Sequence, residues 1–355
     1  MSASDTYRVQ AAWSYQISSG RLAFENGNRR VTLALDSTEE QLSELARKLY
    51  LGDTESRLVN ELNVKTRKPL AECHQILEIL KSKGLLIQSG TLEERVIDQD
   101  FDRLTRFLNT FESQDQSGEW FLSRFQSKTV VLVGIGSYGC VLAEALVRMG
   151  VGRLIAFDHD VVETSNLDRQ SLFAKEDVGV KKVVAARRAL ERIGTNTVLE
   201  FYDKEICSAE DLKMPNADLI INTFGFLHPE YVGHAVPEAI AQAALELKTP
   251  SLTLGGAHLG PLWIPGENGC HFCFYEKMKA DGKLMHPDRR SPAIQKRMCY
   301  PVTASLSQLA VWEITRFLTG ILPSRVQGRI LHFDWFGEIP SQFIDLGSVH
   351  CGRCL

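Results

Sequence analysis

Four of the chain's eight cysteines fall in two C-x-x-C knuckles, Cys270-His-Phe-Cys273 and Cys351-Gly-Arg-Cys354. Four thiolates so grouped satisfy one tetrahedral Zn2+ and leave no position open for a substrate. The pattern therefore predicts a structural metal that ties the C-terminal end to a loop far upstream. Four unrelated buried thiols are the plainer alternative. Disulfides fit poorly: Met1-Ser-Ala-Ser-Asp5 carries no secretory signal, and Cys73, Cys140, Cys207 and Cys299 are scattered singly.

A second cluster points to nucleotide chemistry. Lys128-Thr-Val-Val-Leu-Val133 reads as a buried parallel strand, Gly134-Ile-Gly136-Ser-Tyr-Gly139 follows at once, and Val141–Met149 continues as an apolar helix. G-x-G-x-x-G in this strand–turn–helix setting lets backbone amides approach phosphates at a helix N-terminus. A second strand, Arg153–Phe157, ends at Asp158, whose carboxylate can accept hydrogen bonds from ribose hydroxyls. To this point a nicotinamide-dependent oxidoreductase is equally served. The next segment favours ATP. Asp158-His-Asp160, Asn166-Leu-Asp-Arg169-Gln170 and Asp177-Val-Gly179-Val-Lys-Lys182 supply carboxylates, amides and cations that hydride transfer does not need. Splitting a polyphosphate does need cations, to neutralise the charge that grows on the leaving group. Arg187 and Arg188 read as the solvated side of a helix.

These groups need elements to hold them. At 355 residues, 44% apolar and 24% charged, the chain can bury more than one core. A net charge of −4 predicts no general affinity for nucleic acid or an anionic membrane surface. No apolar run reaches the ~18 residues of a spanning helix, and the expected location is cytoplasmic.

Residues 1–95 lack phosphate-binding glycines and read as a separate domain. Tyr7–Ile17, Leu22–Glu25 and Val31–Leu35 read as strands. Thr38-Glu-Glu-Gln41 is a capping box opening a helix with Leu42, Leu45, Ala46 and Leu49 on one face. A second helix is expected from Thr54 to Leu62. A third starts at Pro69, carries Leu70, Cys73, Ile76, Leu77 and Leu80 as its apolar stripe, and ends at Gly84; Leu85-Leu-Ile87 returns as a strand. Strands followed by three helices predict a winged-helix-like α+β module. Residues 1–95 carry 13 Lys and Arg against 13 Asp and Glu, a poor balance for gripping a phosphate backbone. Recognition of a peptide as an added strand fits better, with a purely structural extension as the alternative. Residues 96–127 read as a helical connector. Residues 128–355 read as a doubly wound, Rossmann-like α/β domain, with strands from Arg329 to Ile344 ahead of the last knuckle.

In this order, G-x-G-x-x-G, Asp-x-Asp, Asn-Leu-x-Arg-Gln, Val-Gly-x-x-Lys and the paired knuckles resemble the ThiF/MoeB/E1-like adenylating enzymes, from about residue 100 onward. The resemblance implies that Gly134, Gly136 and Gly139 face ATP, that Asp158 holds the ribose, that Asn166, Arg169 and Lys182 contact the triphosphate, and that Asp160 and Gln170 also belong to the nucleotide site. It also implies that Cys270, Cys273, Cys351 and Cys354 hold zinc. Dimeric members insert an arginine into the neighbouring subunit's site, and Arg106 matches it better than Arg103, so a homodimer is implied. Arg169, Lys182 and Arg106 are thus the catalytic candidates. The family's Mg2+-binding aspartate falls here at Gly225. Either Asp160 or Asn222 helps hold the metal, or ATP cleavage has been lost.

The small leading module is similar to the leader-peptide recognition element of the peptide-modifying, MccB-like subgroup. That likeness implies a ribosomally made precursor peptide, activated at a carboxylate by adenylation or phosphorylation. Kinship with pantocin biosynthesis implies glutamate side chains and cyclisation, in an antibiotic-type pathway. Rival readings are a ThiF-like partner that binds a peptide and delivers it to another enzyme, favoured by Gly225, and an oxidoreductase, disfavoured by Asn166–Gln170. A DNA-binding regulator is the weakest. Cys299 stands where some relatives carry a reactive cysteine, with a buried structural thiol as the plainer reading. Lys277–Arg297 reads as a basic loop over the substrate or a simple surface loop. His258, His271 and His286 receive no role.

Overall fold

A computed structural model describes the chain apart from residues 1–5, 27–28, 36, 89–98, 114–115, 213–215, 225–234, 282–298, 334–340, 348–350, 353 and 355. Two compact units result, Met1–Ser123 and Arg124–Leu355.

The smaller unit opens with strands β1 (Thr6–Val9), β2 (Ser14–Ser18), β3 (Arg21–Asn26) and β4 (Arg29–Ala34). Helix α1 (Glu39–Leu51) follows, then β5 (Asp53–Thr54), α2 (Glu55–Thr66), α3 (Leu70–Ser82) and β6 (Leu86–Gln88). The capping box is reciprocal: Gln41 N–H donates to Thr38 Oγ1 and Thr38 N–H to Gln41 Oε1. Leu42, Leu45, Ala46 and Leu49 are buried as the periodicity requires, against Leu58, Leu62, Leu77 and Leu80. Leu70 departs from the expected stripe and stays half exposed in the first turn of α3.

The expected strand Tyr7–Ile17 is in fact two strands in two sheets. β1 lies between β5 and β6, while β2-β3-β4 forms an antiparallel meander. A turn breaks it, with Trp13 N–H donating to Gln10 O. The cause lies outside the local pattern. Arg8 is buried and meets both carboxylate oxygens of Glu112, which also accepts from Ala11 N–H. Glu112 follows α4 (Asp102–Leu108) and a 3-10 turn at Asn109–Phe111, so this ion pair fastens the connector onto the small unit. Helix α5 (Gly118–Gln126) completes the connector.

The larger unit contains β7 (Thr129–Val133), α6 (Ser137–Arg148), β8 (Arg153–Asp158), α7 (Lys182–Glu191), β9 (Val198–Asp203) and β10 (Leu219–Asn222). It continues with α8 (Ala235–Leu247), β11 (Ser251–Gly255), β12 (His258–Trp263), α9 (His271–Ala280), α10 (Tyr300–Thr319), β13 (Arg329–Phe333) and β14 (Ser341–Asp345). One sheet runs β14-β13-β12-β11-β10-β7-β8-β9, with β11 through β9 parallel and the other end antiparallel. β7 is apolar and buried from Val130 to Val133 because both faces are covered: Val130 and Leu132 pack with α6, α7 and α10, and Val131 and Val133 with α8. β8 and β10 flank β7 on opposite sides, so the chain reverses direction there and leaves a crevice at the strand ends.

The two knuckles meet. Cys270 Sγ lies 4.0 Å from Cys273 Sγ and 3.5 Å from Cys351 Sγ; Cys354 Sγ lies 3.3 Å from Cys273 Sγ and 3.6 Å from Cys351 Sγ. A tetrahedral zinc with bonds of about 2.3 Å sets its sulfurs about 3.8 Å apart, so the cluster fits. It is the one group of three or more metal-ligating side chains found among the described residues. Burial pushes the Cys354 thiol up to about 11, and the hydrogen bond from Cys270 draws the Cys273 thiol down to about 5. A cation at the centre would remove this conflict by ionising all four.

Two tests follow from these anchors. Glu112→Ala strands a buried guanidinium and should destabilise the small unit by about 3–5 kcal/mol in chemical denaturation, while Arg8→Met with Glu112→Leu should cost much less. Purified protein should carry one zinc per chain by elemental analysis, and its removal by a chelator should lower the melting temperature; zinc-free protein of equal stability would refute the site.

Candidate functional site

The crevice at the ends of β7, β8 and β10 is built by backbone geometry first. Gly134 adopts φ 96°, open to glycine at little cost, and its N–H donates to Phe157 O at 2.9 Å. A Cβ on Gly139 would lie 2.0 Å from Gly134 O, so only glycine lets α6 start so close to the loop. At Gly136 a Cβ would meet nothing within 4 Å. This middle glycine faces open space at a helix N-terminus, the cradle a phosphate needs.

Asp158 joins the next layer. Its Oδ2 accepts from Ile135 N–H at 2.7 Å and its Oδ1 from Asp160 N–H at 2.9 Å. Each oxygen keeps a lone pair, so a ribose hydroxyl can still be received. Asp160 in turn holds Lys182: Nζ donates to Oδ2 at 2.6 Å, and the two residues also share a backbone hydrogen bond. Lys182 is buried at the start of α7 while Asp160 is exposed. The neighbouring Lys181 pairs with Asp203 at the end of β9. The glycine loop, Asp158, Asp160 and Lys182 thus form one bonded series.

Asn166, Arg169 and Gln170 occupy a separate turn in the 159–181 crossover. Asn166 Oδ1 accepts from Glu163 N–H, and Arg169 is held by Ser165 O and by Asp168 Oδ1 at 2.8 Å. Gln170 is buried, with Oε1 unbonded among the described residues. Arg106 is exposed on α4 and paired with Asp102 at 2.9 Å. Arg187 pairs with Glu191 on the solvent side, whereas Arg188 reaches the buried Asp177. Gly225 lies outside the described residues, as do 282–298 of the expected basic loop; Lys277 lies in the last turn of α9. Cys299 is exposed at the N-cap of α10, against the reading of a buried thiol. His258 faces His332 at 2.9 Å, and burial pushes its pKa down to about 3.

Two fasteners were not read from sequence. Thr223 Oγ1 donates to Val133 O at 2.8 Å, and Tyr138 Oη donates to Gly256 O at 2.5 Å. A hydroxyl directly after an apolar strand was the available signal for the first; the second joins residues too far apart to see.

The nucleotide fits on chain features alone: an open glycine cradle, a carboxylate with free lone pairs and a buried cation. For Mg2+ the described residues offer Asp160 as the exposed carboxylate of this series, the remaining ligands falling to phosphates and water.

Residues 108–351 match the ThiF family. Among curated relatives, ubiquitin-like modifier-activating enzyme 5 of Arabidopsis thaliana is 31% identical over 175 residues, 45% of this chain and 40% of that protein. The Drosophila mojavensis enzyme is 40% identical over 88 residues, 25% of this chain and 22% of that one. The matched segments thus span well under two thirds of those relatives. E. coli MccB, solved with ATP, shares the fold over 98% of this chain and 99% of its own, with a TM-score of 0.76 and 19% identity. PaaA shares it over 78% and 92%, with a TM-score of 0.61 and 19% identity. The chain belongs to the ThiF family.

Proposed function

We propose that this protein uses ATP to activate a carboxylate of a ribosomally made precursor peptide. The observation that carries the reading is the bonded series of glycine loop, Asp158, Asp160 and Lys182 in one strand-end crevice. MccB, which shares the fold over nearly its whole length, has been solved with MccA.

The larger unit binds the nucleotide with its phosphates at the Gly136 cradle and its ribose at Asp158. Lys182 leaves Asp160 to meet the triphosphate, and Asp160 turns to Mg2+. Arg169 swings from Ser165 and Asp168 to the phosphoryl oxygens, and Arg106 is supplied by a second copy of the chain. A peptide carboxylate oxygen bonds to the α-phosphorus as the bond to the bridging oxygen breaks and pyrophosphate leaves. The resulting acyl-adenylate loses AMP to a nucleophile. Attack at the γ-phosphorus instead gives an acyl-phosphate and ADP. With glutamate side chains as substrate, displacement closes a ring.

The smaller unit binds the leader. Of the four edge strands in its two sheets, β2, β4, β5 and β6, the edges of β4 and β6 are the candidates. A cleft of about 450 Å3, lined by Arg29, Lys81, Gly84, Leu86 and Ile87, opens beside them. An extended peptide adds to such an edge through main-chain hydrogen bonds.

Arg169→Ala should lower peptide-dependent release of AMP or ADP by about 10²–10³-fold with an unchanged melting temperature; full activity would remove its phosphate role. Peptide-independent silence of the wild type in the same assay would favour a delivery partner. In hydrogen exchange, a bound precursor peptide should protect β4 or β6 amides, and ATP the Gly134–Gly139 amides. Peptide protection confined to the larger unit would refute the leader site.

A further inference from the structure

We propose that Asn222 is an additional nucleotide-binding residue, whose side-chain amide donates to a phosphoryl oxygen of ATP; this rests on the nucleotide reading above. Asn222 is the last residue of β10, in register with Val133 at the end of β7. Both strands end at the point where the sheet reverses direction. The next residue grips the glycine loop: Thr223 Oγ1 donates to Val133 O at 2.8 Å and lies 3.3 Å from Gly134 O. The following ring, Phe224, would touch a Cβ on Gly134 at 3.0 Å. The strand end therefore forms the wall of the crevice that faces the first glycine.

Asn222 is fully buried, and its amide orientation is set. Oδ1 accepts from Phe224 N–H at 3.0 Å, so a flipped amide would place donor against donor. The same bond turns the side chain toward the lip of β10. Nδ2 is left with no hydrogen-bond partner among the described residues. A buried donor without an acceptor is uncommon in a folded chain and disfavours the empty state. The chemistry that relieves it is an oxygen acceptor, and a polyphosphate beside the glycine loop supplies anionic ones. No other side chain of β10 is polar, so this donor is not part of a wider network.

The test uses the full chain and titrates Mg2+–ATP and adenosine separately. Asn222→Ala should weaken ATP about tenfold or more and leave adenosine unchanged. Asn222→Asp, which replaces the donor with a negative acceptor, should weaken ATP further. Asn222→Leu should melt close to wild type without ligand, because it removes the unsatisfied Nδ2 donor but also the acceptor of the Phe224 N–H. ATP binding by Asn222→Ala at wild-type strength overturns the proposal. So do equal losses for ATP and adenosine with a lower melting temperature, which mark a structural role. Tighter Mg2+–ATP binding by Asn222→Asp also overturns it, in favour of a metal ligand. If the wild type binds no ATP, the nucleotide reading itself falls.

Discussion

One carboxylate organises the nucleotide end of the larger unit. Asp158 accepts the Ile135 N–H and the Asp160 N–H, so it spans from the glycine loop to the start of the 159–181 crossover. Charge-assisted bonds of this kind are roughly twice as strong as neutral ones. From Asp160 the series passes to Lys182 and into α7. The glycine loop, the Asp158 carboxylate and the buried Lys182 cation are therefore placed relative to one another by three consecutive links.

The opposite end of the sheet serves stability. β12, β13 and β14 run antiparallel and carry the chain back to the second knuckle, where Cys351 and Cys354 meet Cys270 and Cys273. Glu313, buried on α10, accepts from Ser324 Oγ and from both Nε and backbone N–H of Arg325, which aims the turn into β13. The four-cysteine cluster and the Glu313–Arg325 ion pair thus fasten the antiparallel extension at two points.

Most of the larger unit was legible because its signals are local. An apolar run, three glycines at fixed spacing and an apolar helix read as strand, turn and helix once they adjoin, and paired knuckles point to a shared cluster. The α1 capping box and its buried face were legible for the same reason. What escaped was set by distant partners. The break between β1 and β2 depends on Arg8 finding Glu112, more than a hundred residues on, and nothing near Tyr7–Ile17 reveals it. The exposure of Cys299 depends on its place at a helix start rather than on its neighbours in sequence. Asn166, Arg169 and Gln170 were read as phosphate ligands from their family-like order, and their turn is held by bonds within the crossover. Spacing names such residues but does not say which way they face before ligand arrives.

The account stands on where the triphosphate lies. A crystal structure with Mg2+ and a non-hydrolysable ATP analogue tests that most directly. The account predicts phosphate oxygens at the Gly136 N–H, ribose at Asp158, and Lys182 Nζ moved off Asp160 onto the phosphates. A nucleotide lodged elsewhere, with the Lys182–Asp160 pair intact and the Gly136 cradle empty, would contradict it.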